Sequence, residues 1–350
     1  MTTADLYRVA IVGASSLKGK ELKDLLGERN FPAYDIRLLD EDESQGQLEQ
    51  VAEDITFVLR VHPEQFQNVD FAFFAGDERL MREHWKEARD AGAAIVDLSY
   101  ALEDEPGINI RALWIERELA RFGFGETTPD LQSDAVVIAH PAAIVLGLLL
   151  LRAHKLAPVA RTIVNIFEPV SERGKRGMDE LHQQTINLLS FQQLPKKVFD
   201  AQVAFNMLAR YGEKPTLALE GVERRILRHL KLITRDRVPM PSLVLSHAPI
   251  FHAHVFSIYI ELEKHMSTGD FAQTLSGEHV ELSRMVSEED SPSNVNAAGQ
   301  DNILLAVRRD GVHENGFWLW AAVDNLKLAA LTAVDCAAAL ALVRSKGSVQ

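Results

Sequence analysis

Short apolar runs alternate with amphipathic stretches through the first 140 positions. Arg8–Val12 (RVAIV), Ile36–Leu39, Phe71–Ala75, Ala94–Leu98 and Ala135–Ala139 each predict a short buried strand. They are too brief for helices, and β-branched or aromatic side chains predominate, as in strands covered on both faces. A helical pattern runs from the first strand through Leu26, and another covers Glu78–Ala91 and passes through Gly92 into the next strand. Strands alternating with helices in this way indicate parallel βαβ units, so the first part of the chain is expected to be a doubly wound α/β domain.

The stretch Ala135–Leu151 (AVVIAHPAAIVLGLLLL) is the pivot of the pattern. A buried strand meets a turn at His140-Pro141, and an apolar helix follows. The tip of such a unit is where α/β enzymes expose a nucleophile, with helix amides behind it to hold an anion. Here it reads His140-Pro141-Ala142-Ala143-Ile144-Val145 and offers no nucleophile. Beyond it the periodicity changes. Thr162–Phe167 predicts a strand and Gly177–Leu189 a helix, while Leu243–His247, His254–Glu263 and Phe317–Val323 alternate as half-exposed strands do. That mixture predicts an α+β second domain with a mixed sheet. Asp324 or Asn325 would cap a closing Ala/Leu-rich helix.

Composition narrows the function. A chain of 350 residues has room for two cores. A net charge of −13 argues against nucleic acid or an anionic membrane as partner. The short basic cluster Glu172–Arg176 is too small to reverse that. No apolar run is long enough to span a bilayer and no leader pattern opens the chain, so a cytoplasmic protein is expected. The single cysteine, Cys336, excludes an internal disulfide and reads as a core residue. Ser287–Gly299 reads as a surface loop, and Trp318 and Trp320 share a strand face suited to a subunit interface.

Candidate chemistry begins at the turn after the first strand. Gly13-Ala-Ser-Ser-Leu-Lys-Gly19 has the strand–turn–helix context of a dinucleotide site, with Gly13 for the turn and Gly19 for close helix packing. Ser16 stands where a middle glycine would admit the pyrophosphate; its Cβ crowds that approach, although its hydroxyl is a possible donor. A βα turn that binds nothing fits the same residues. Asp40-Glu41-Asp42-Glu43, at the end of the second strand, would accept from a ribose 2′-hydroxyl and repel a 2′-phosphate, favouring NAD over NADP. A solvated acidic loop is the alternative.

Together these landmarks resemble the aspartate-semialdehyde dehydrogenase family over essentially the whole chain. The matching blocks are the Gly13–Gly19 turn, Phe73–Ser99, Ile138–Val145, Val170–Thr185, Ala204–Asn206, His247–His254 and Asp324–Ala330. The resemblance implies a Rossmann-like domain over 1–133, completed by a C-terminal helix at 325–345, and an α+β catalytic and dimerisation domain over 134–324. It also implies a homodimer, NAD or NADP at Gly13, Ser15, Ser16, Leu17, Gly19, Asp40, Gly76, Ser171, Gly174 and Asn325, and a cysteine thiolate that captures an aldehyde. The family's cysteine position falls at Ala143, whose methyl group cannot form a thiohemiacetal. The orienting glutamine falls at Glu168, the phosphate arginine at Glu103 and the substrate arginine at His247. The residue for the NADP 2′-phosphate falls at Glu43, and the base at His254, which is kept.

Three functions follow. A non-catalytic dimeric paralogue accounts for every changed position. An NAD-linked oxidoreductase could use His254 without a covalent intermediate. A metal site could form from His140, His247 and His254 with Glu168, and with His252 on the strand face of His254. The small-molecule ligand is left open.

Overall fold

The computed structural model describes residues 6–29, 31–41, 46, 48–51, 54–124 and 135–342. They form two compact units. The first comprises the described residues of Met1–Leu113, Glu126–Ala139 and Ala329–Gln350. Its sheet contains β1 (Tyr7–Val12), β2 (Ala33–Asp40), β3 (Leu48–Val51), β4 (Asp54–Arg60), β5 (Phe71–Phe74), β6 (Ala94–Asp97), β7 (Asn109–Arg111) and β8 (Ala135–Ile138). Their order is β3-β4-β2-β1-β5-β6-β8-β7. All neighbouring pairs are parallel except β3 with β4. Every residue of β5, β6 and β8 is buried, which explains why those strands read as unbroken apolar runs. Helices α1 (Leu17–Glu28) and α2 (Glu78–Asp90) follow β1 and β5, capped by Ser16 and Asp77. Strand β4 gave no such run, since its Phe57 and Leu59 are solvent-exposed.

The second unit comprises the described residues of Trp114–Gly125 and His140–Leu328. Helices α3 (Leu113–Arg121) and α4 (Pro141–Leu156) precede β9 (Val159–Glu168), α5 (Gly174–Leu189) and α6 (Leu219–Ile233). Then come β10 (Ser242–His247), β11 (His254–Leu262), α7 (Thr268–Leu275), β12 (Val280–Leu282), α8 (Asn294–Ala297), β13 (Ile303–Arg309) and β14 (Gly316–Val323). The sheet order is β10-β9-β11-β14-β13-β12, with β9/β10 and β12/β13 parallel and the other pairs antiparallel. It is the mixed sheet expected. Helix α4 is apolar on all sides because it is enclosed: Pro141–Ala153 are all buried. The sheet's other face carries exposed Ile163, Val244 and Trp320, with Trp318 half-buried beside them.

Four corrections follow. Helix α8 interrupts the stretch expected to be a loop, where Ser293 caps it. His252 lies before β11 begins, and Ala253 at φ +70° breaks the alternation that would put it on the face of His254. Helix α6 was not anticipated, although Leu219, Val222, Ile226, Leu230 and Ile233 recur at helical spacing on its buried side. Arg173, counted in a surface basic cluster, has a side chain only 4% exposed. Helix α9 (Asn325–Ala341) starts as expected, with Asp324 Oδ1 accepting from the amides of Leu326 and Lys327. Residue 133, the helix beyond residue 342 and Glu43 lie outside the described residues. No described helix is long and apolar enough to cross a membrane.

Candidate active site

In the first unit, the turn between β1 and α1 is shaped by backbone contacts. Gly13 has φ +81°, and a Cβ there would come within 2.4 Å of the Gly76 backbone. A Cβ at Gly19 would meet the Gly13 carbonyl oxygen at 2.3 Å. Both positions therefore require glycine. The Gly13 and Ala14 amides donate to Leu39 O, and Ser15 N–H donates to Asp40 Oδ2 at 2.7 Å. Asp40 Oδ1 accepts from the Glu41 amide, so this acid braces the turn. Ser16 Oγ accepts from Gly19 N–H and donates to Ala75 O, both at 2.9 Å. Its hydroxyl proton is thus committed within the protein, which corrects the expectation of a donor for phosphate. Ser15 Oγ is buried with no hydrogen-bond partner, and Leu17 opens α1, where first-turn amides point outward. Glu103 follows β6 in a turn, its amide donating to Tyr100 O at 3.2 Å.

The second unit brings together His140, Glu172 and His254. His140 caps α4: its Nδ1 accepts from the Ala142 amide at 3.2 Å. Its own backbone N–H donates to Nδ1 of His229, a buried residue of α6. Glu172 lies 3.8 Å from Nε2 of both His140 and His254. Asn325 Nδ2 donates to Glu172 at 2.8 Å, and its Oδ1 accepts from Ser171 Oγ and the Ala253 amide. Ser171 and Asn325 therefore hold each other and the start of β11. Gly174, at φ +63°, begins α5. His254 is wholly buried, and neither ring nitrogen has a hydrogen-bond partner. Burial drives the pKa of both histidines down, well down for His140, against the raising pull of Glu172. Both imidazoles are neutral at physiological pH.

A second buried group joins Glu168 to His247. The Arg173 guanidinium engages both oxygens of Glu168, at 2.8 and 3.3 Å. Tyr211 Oη lies 3.3 Å from Glu168 Oε2 and 3.3 Å from His247 Nδ1. His247 Nε2 lies 3.3 Å from Val203 O. A carbonyl only accepts, so Nε2 carries the proton and Nδ1 competes with Glu168 for the single tyrosine hydrogen. Burial lowers His247 to about 4 and raises Glu168 and Tyr211. The surrounding loop is braced from α5. Glu180 accepts from the amides of Lys197, Val198 and Phe199, and Gln184 from those of Val203 and Ala204.

The three histidines expected to share a site thus divide between two groups. Among the described residues, no three His, Cys, Asp or Glu side chains are grouped so as to hold a metal ion. Ala143 lies in the first turn of α4, fully buried, and Cys336 is buried in α9. Sequence reasoning missed Arg173, Tyr211, Glu172 and His229. Arg173 and Glu172 lie in the stretch Val170–Thr185, but their contacts with Glu168 and with His140 and His254 depend on the 3-10 turn Val170–Arg173 that follows β9.

Residues 8–148 match the semialdehyde dehydrogenase NAD-binding domain, and residues 148–328 match the semialdehyde dehydrogenase dimerisation domain. A USG-1 protein homolog of Pseudomonas aeruginosa is 31% identical over 331 residues, spanning 93% of this chain and 95% of its own length. The structure of a probable aspartate-semialdehyde dehydrogenase from Pseudomonas aeruginosa is 29% identical, with a TM-score of 0.82, and covers 96% of this chain and 98% of its own. Aspartate semialdehyde dehydrogenase II of Vibrio cholerae, 24% identical, shares the fold at a TM-score of 0.84 over 97% of this chain and 99% of its own. Two domain matches in tandem and a full-length relative above 30% identity lead to one assignment: the chain belongs to the semialdehyde dehydrogenase family.

Proposed function

We propose that this protein is a dimeric, nucleotide-binding family member that has lost the thiol-dependent, phosphorylating oxidation of an aldehyde. One observation carries the reading. The chain's single cysteine is Cys336, buried in α9, while the first turn of α4 carries Ala143 where the family resemblance calls for the nucleophile. The buried groups of the second unit agree with it. Arg173, the cation nearest Glu168, is neutralised by a bidentate carboxylate and so is a poor clamp for an anionic substrate. His247 is neutral, since its pKa lies near 4.

The residues of the β1–α1 turn fit a dinucleotide. Gly13 and Gly19 allow the tight strand–turn–helix packing of a dinucleotide turn, where a Cβ would strike neighbouring backbone, and the Ser15 hydroxyl is buried without a hydrogen bond. Asp40 and Glu41 at the end of β2 favour NAD over NADP, because a 2′-phosphate would face two carboxylates. When bound, the nucleotide would supply a hydride acceptor or donor. The apolar face bearing Ile163, Val244 and Trp320 suits a second copy of the chain.

The test is turnover of the purified chain with aspartate semialdehyde, phosphate and NAD or NADP, followed by absorbance of the reduced nucleotide. No reduction above the background without protein is expected; steady turnover that disappears in His254→Gln would overturn the reading. Non-covalent hydride transfer is the second reading, favoured by the neutral His254 ring, neither nitrogen of which makes a hydrogen bond. Nucleotide-dependent oxidation or reduction of another small carbonyl or alcohol, sensitive to His254→Gln, would establish it.

A further inference from the structure

The acidic end of β2 faces a cation from another element. Arg79, in the first turn of α2, pairs through its guanidinium with Glu41 immediately after β2, and it lies 3.2 Å from Glu83 one turn further along α2. These carboxylates hold Arg79 charged, the nearer being Glu41. The pair is half-exposed, at 53% for the arginine and 49% for the glutamate. A surface pair of this kind contributes little to folding, so it can be altered without unfolding the domain. In a doubly wound domain the end of the second strand flanks the adenosine ribose, where an acid accepts from a 2′-hydroxyl and an arginine receives a 2′-phosphate. Both kinds of residue are present here, and each occupies the other.

We propose that Glu41 and Arg79 form the coenzyme selector of this protein: Glu41 withholds from NADP an arginine that would otherwise bind its 2′-phosphate. The inference rests on the nucleotide reading above. Asp40 adds negative charge but is tied into the turn, its two oxygens accepting from the Ser15 and Glu41 amides, so Glu41 is the acid that engages Arg79. Glu83 is one helical turn from Arg79 and keeps the arginine ordered when Glu41 is removed. A guanidinium released from Glu41 could give a 2′-phosphate two parallel charge-assisted hydrogen bonds, whereas Glu41 in place occupies Arg79 and repels the phosphate.

Calorimetric titration with NAD and NADP of the wild-type chain, Glu41→Gln, Arg79→Ala and the double variant tests this. Wild type is expected to bind NAD at least about tenfold tighter than NADP, a difference of about 1.4 kcal/mol. Glu41→Gln should tighten NADP by about tenfold while moving NAD by less than about threefold, and adding Arg79→Ala should abolish the gain. Unchanged NADP affinity in Glu41→Gln would overturn the selector, as would a gain that survives loss of Arg79. If NAD still binds in those cases, only the selector fails; if neither coenzyme binds any variant, the nucleotide reading fails with it. Thermal unfolding curves confirm that the surface variants fold.

Discussion

The β1–α1 turn and the buried groups of the second unit differ in what they are made from. The turn is specified by backbone contacts: Gly13 against Gly76, Gly19 against the Gly13 carbonyl, and amides held by Leu39 and Asp40. The second unit's groups are specified by side chains, which have partners within the protein. Glu168 takes Arg173, His247 takes Val203 and Tyr211, and His140 takes the Ala142 amide. A site built from backbone keeps its shape through sequence change, because only glycine satisfies it. One built from side chains depends on which residues satisfy one another and changes with them.

The comparison breaks most visibly if the second unit's charges are not paired as described. Glu168→Gln removes the bidentate carboxylate of the buried Arg173 guanidinium and should cost about 3–5 kcal/mol in urea unfolding. Replacing both members with well-packed apolar residues should cost much less. Full stability of Glu168→Gln would show that the pair does not hold the unit together.

Acid provides the next largest effect. Burial lowers the His247 pKa to about 4 in the folded chain, against about 6.5 for an ordinary histidine. Between those values the unfolded chain binds more protons, so stability falls as pH drops from about 6.5 to about 4, by up to roughly 3 kcal/mol. His140 and His254, also lowered, act in the same direction. Glu168 is raised and acts in the opposite sense. The difference between wild type and His247→Gln across this window isolates the one histidine, and the variant should lose stability less steeply on acidification.

The turn is tested by two smaller changes. Gly13→Ala places a Cβ at positive φ against the Gly76 backbone; it should cost more than about 1 kcal/mol and abolish nucleotide binding in calorimetry. Ser16→Ala removes the α1 cap and should cost about 1 kcal/mol in thermal unfolding. If Gly13→Ala bound NAD as tightly as wild type, the nucleotide would not lie on this turn.

The legibility of these features follows the same division. Strands β1, β5, β6 and β8 were evident because burial on both faces leaves continuous apolar runs, and Asp324 before α9 carried a helix-start signal. The glycines of the turn were legible for the reason that makes them required. Helix α6 carries a periodic signal of its own in Leu219, Val222, Ile226, Leu230 and Ile233. The Glu168–Arg173 pair and the role of Tyr211 were not legible, since the hydrogen bonds of Tyr211 span 36 to 43 positions and depend on how β9, the following 3-10 turn and β10 are set. His140, His247 and His254 could be identified as polar residues near one another in family terms, but their division between two buried groups could not. Periodicity reports which face of an element is buried, not which buried polar groups satisfy each other.

The most direct test of the contrast between a turn held by backbone and groups held by side chains is calorimetric titration of the wild-type protein with NAD. Micromolar binding at one site per chain is the predicted result. Absent or millimolar binding would contradict it, and would mean that the glycine turn persists for packing alone.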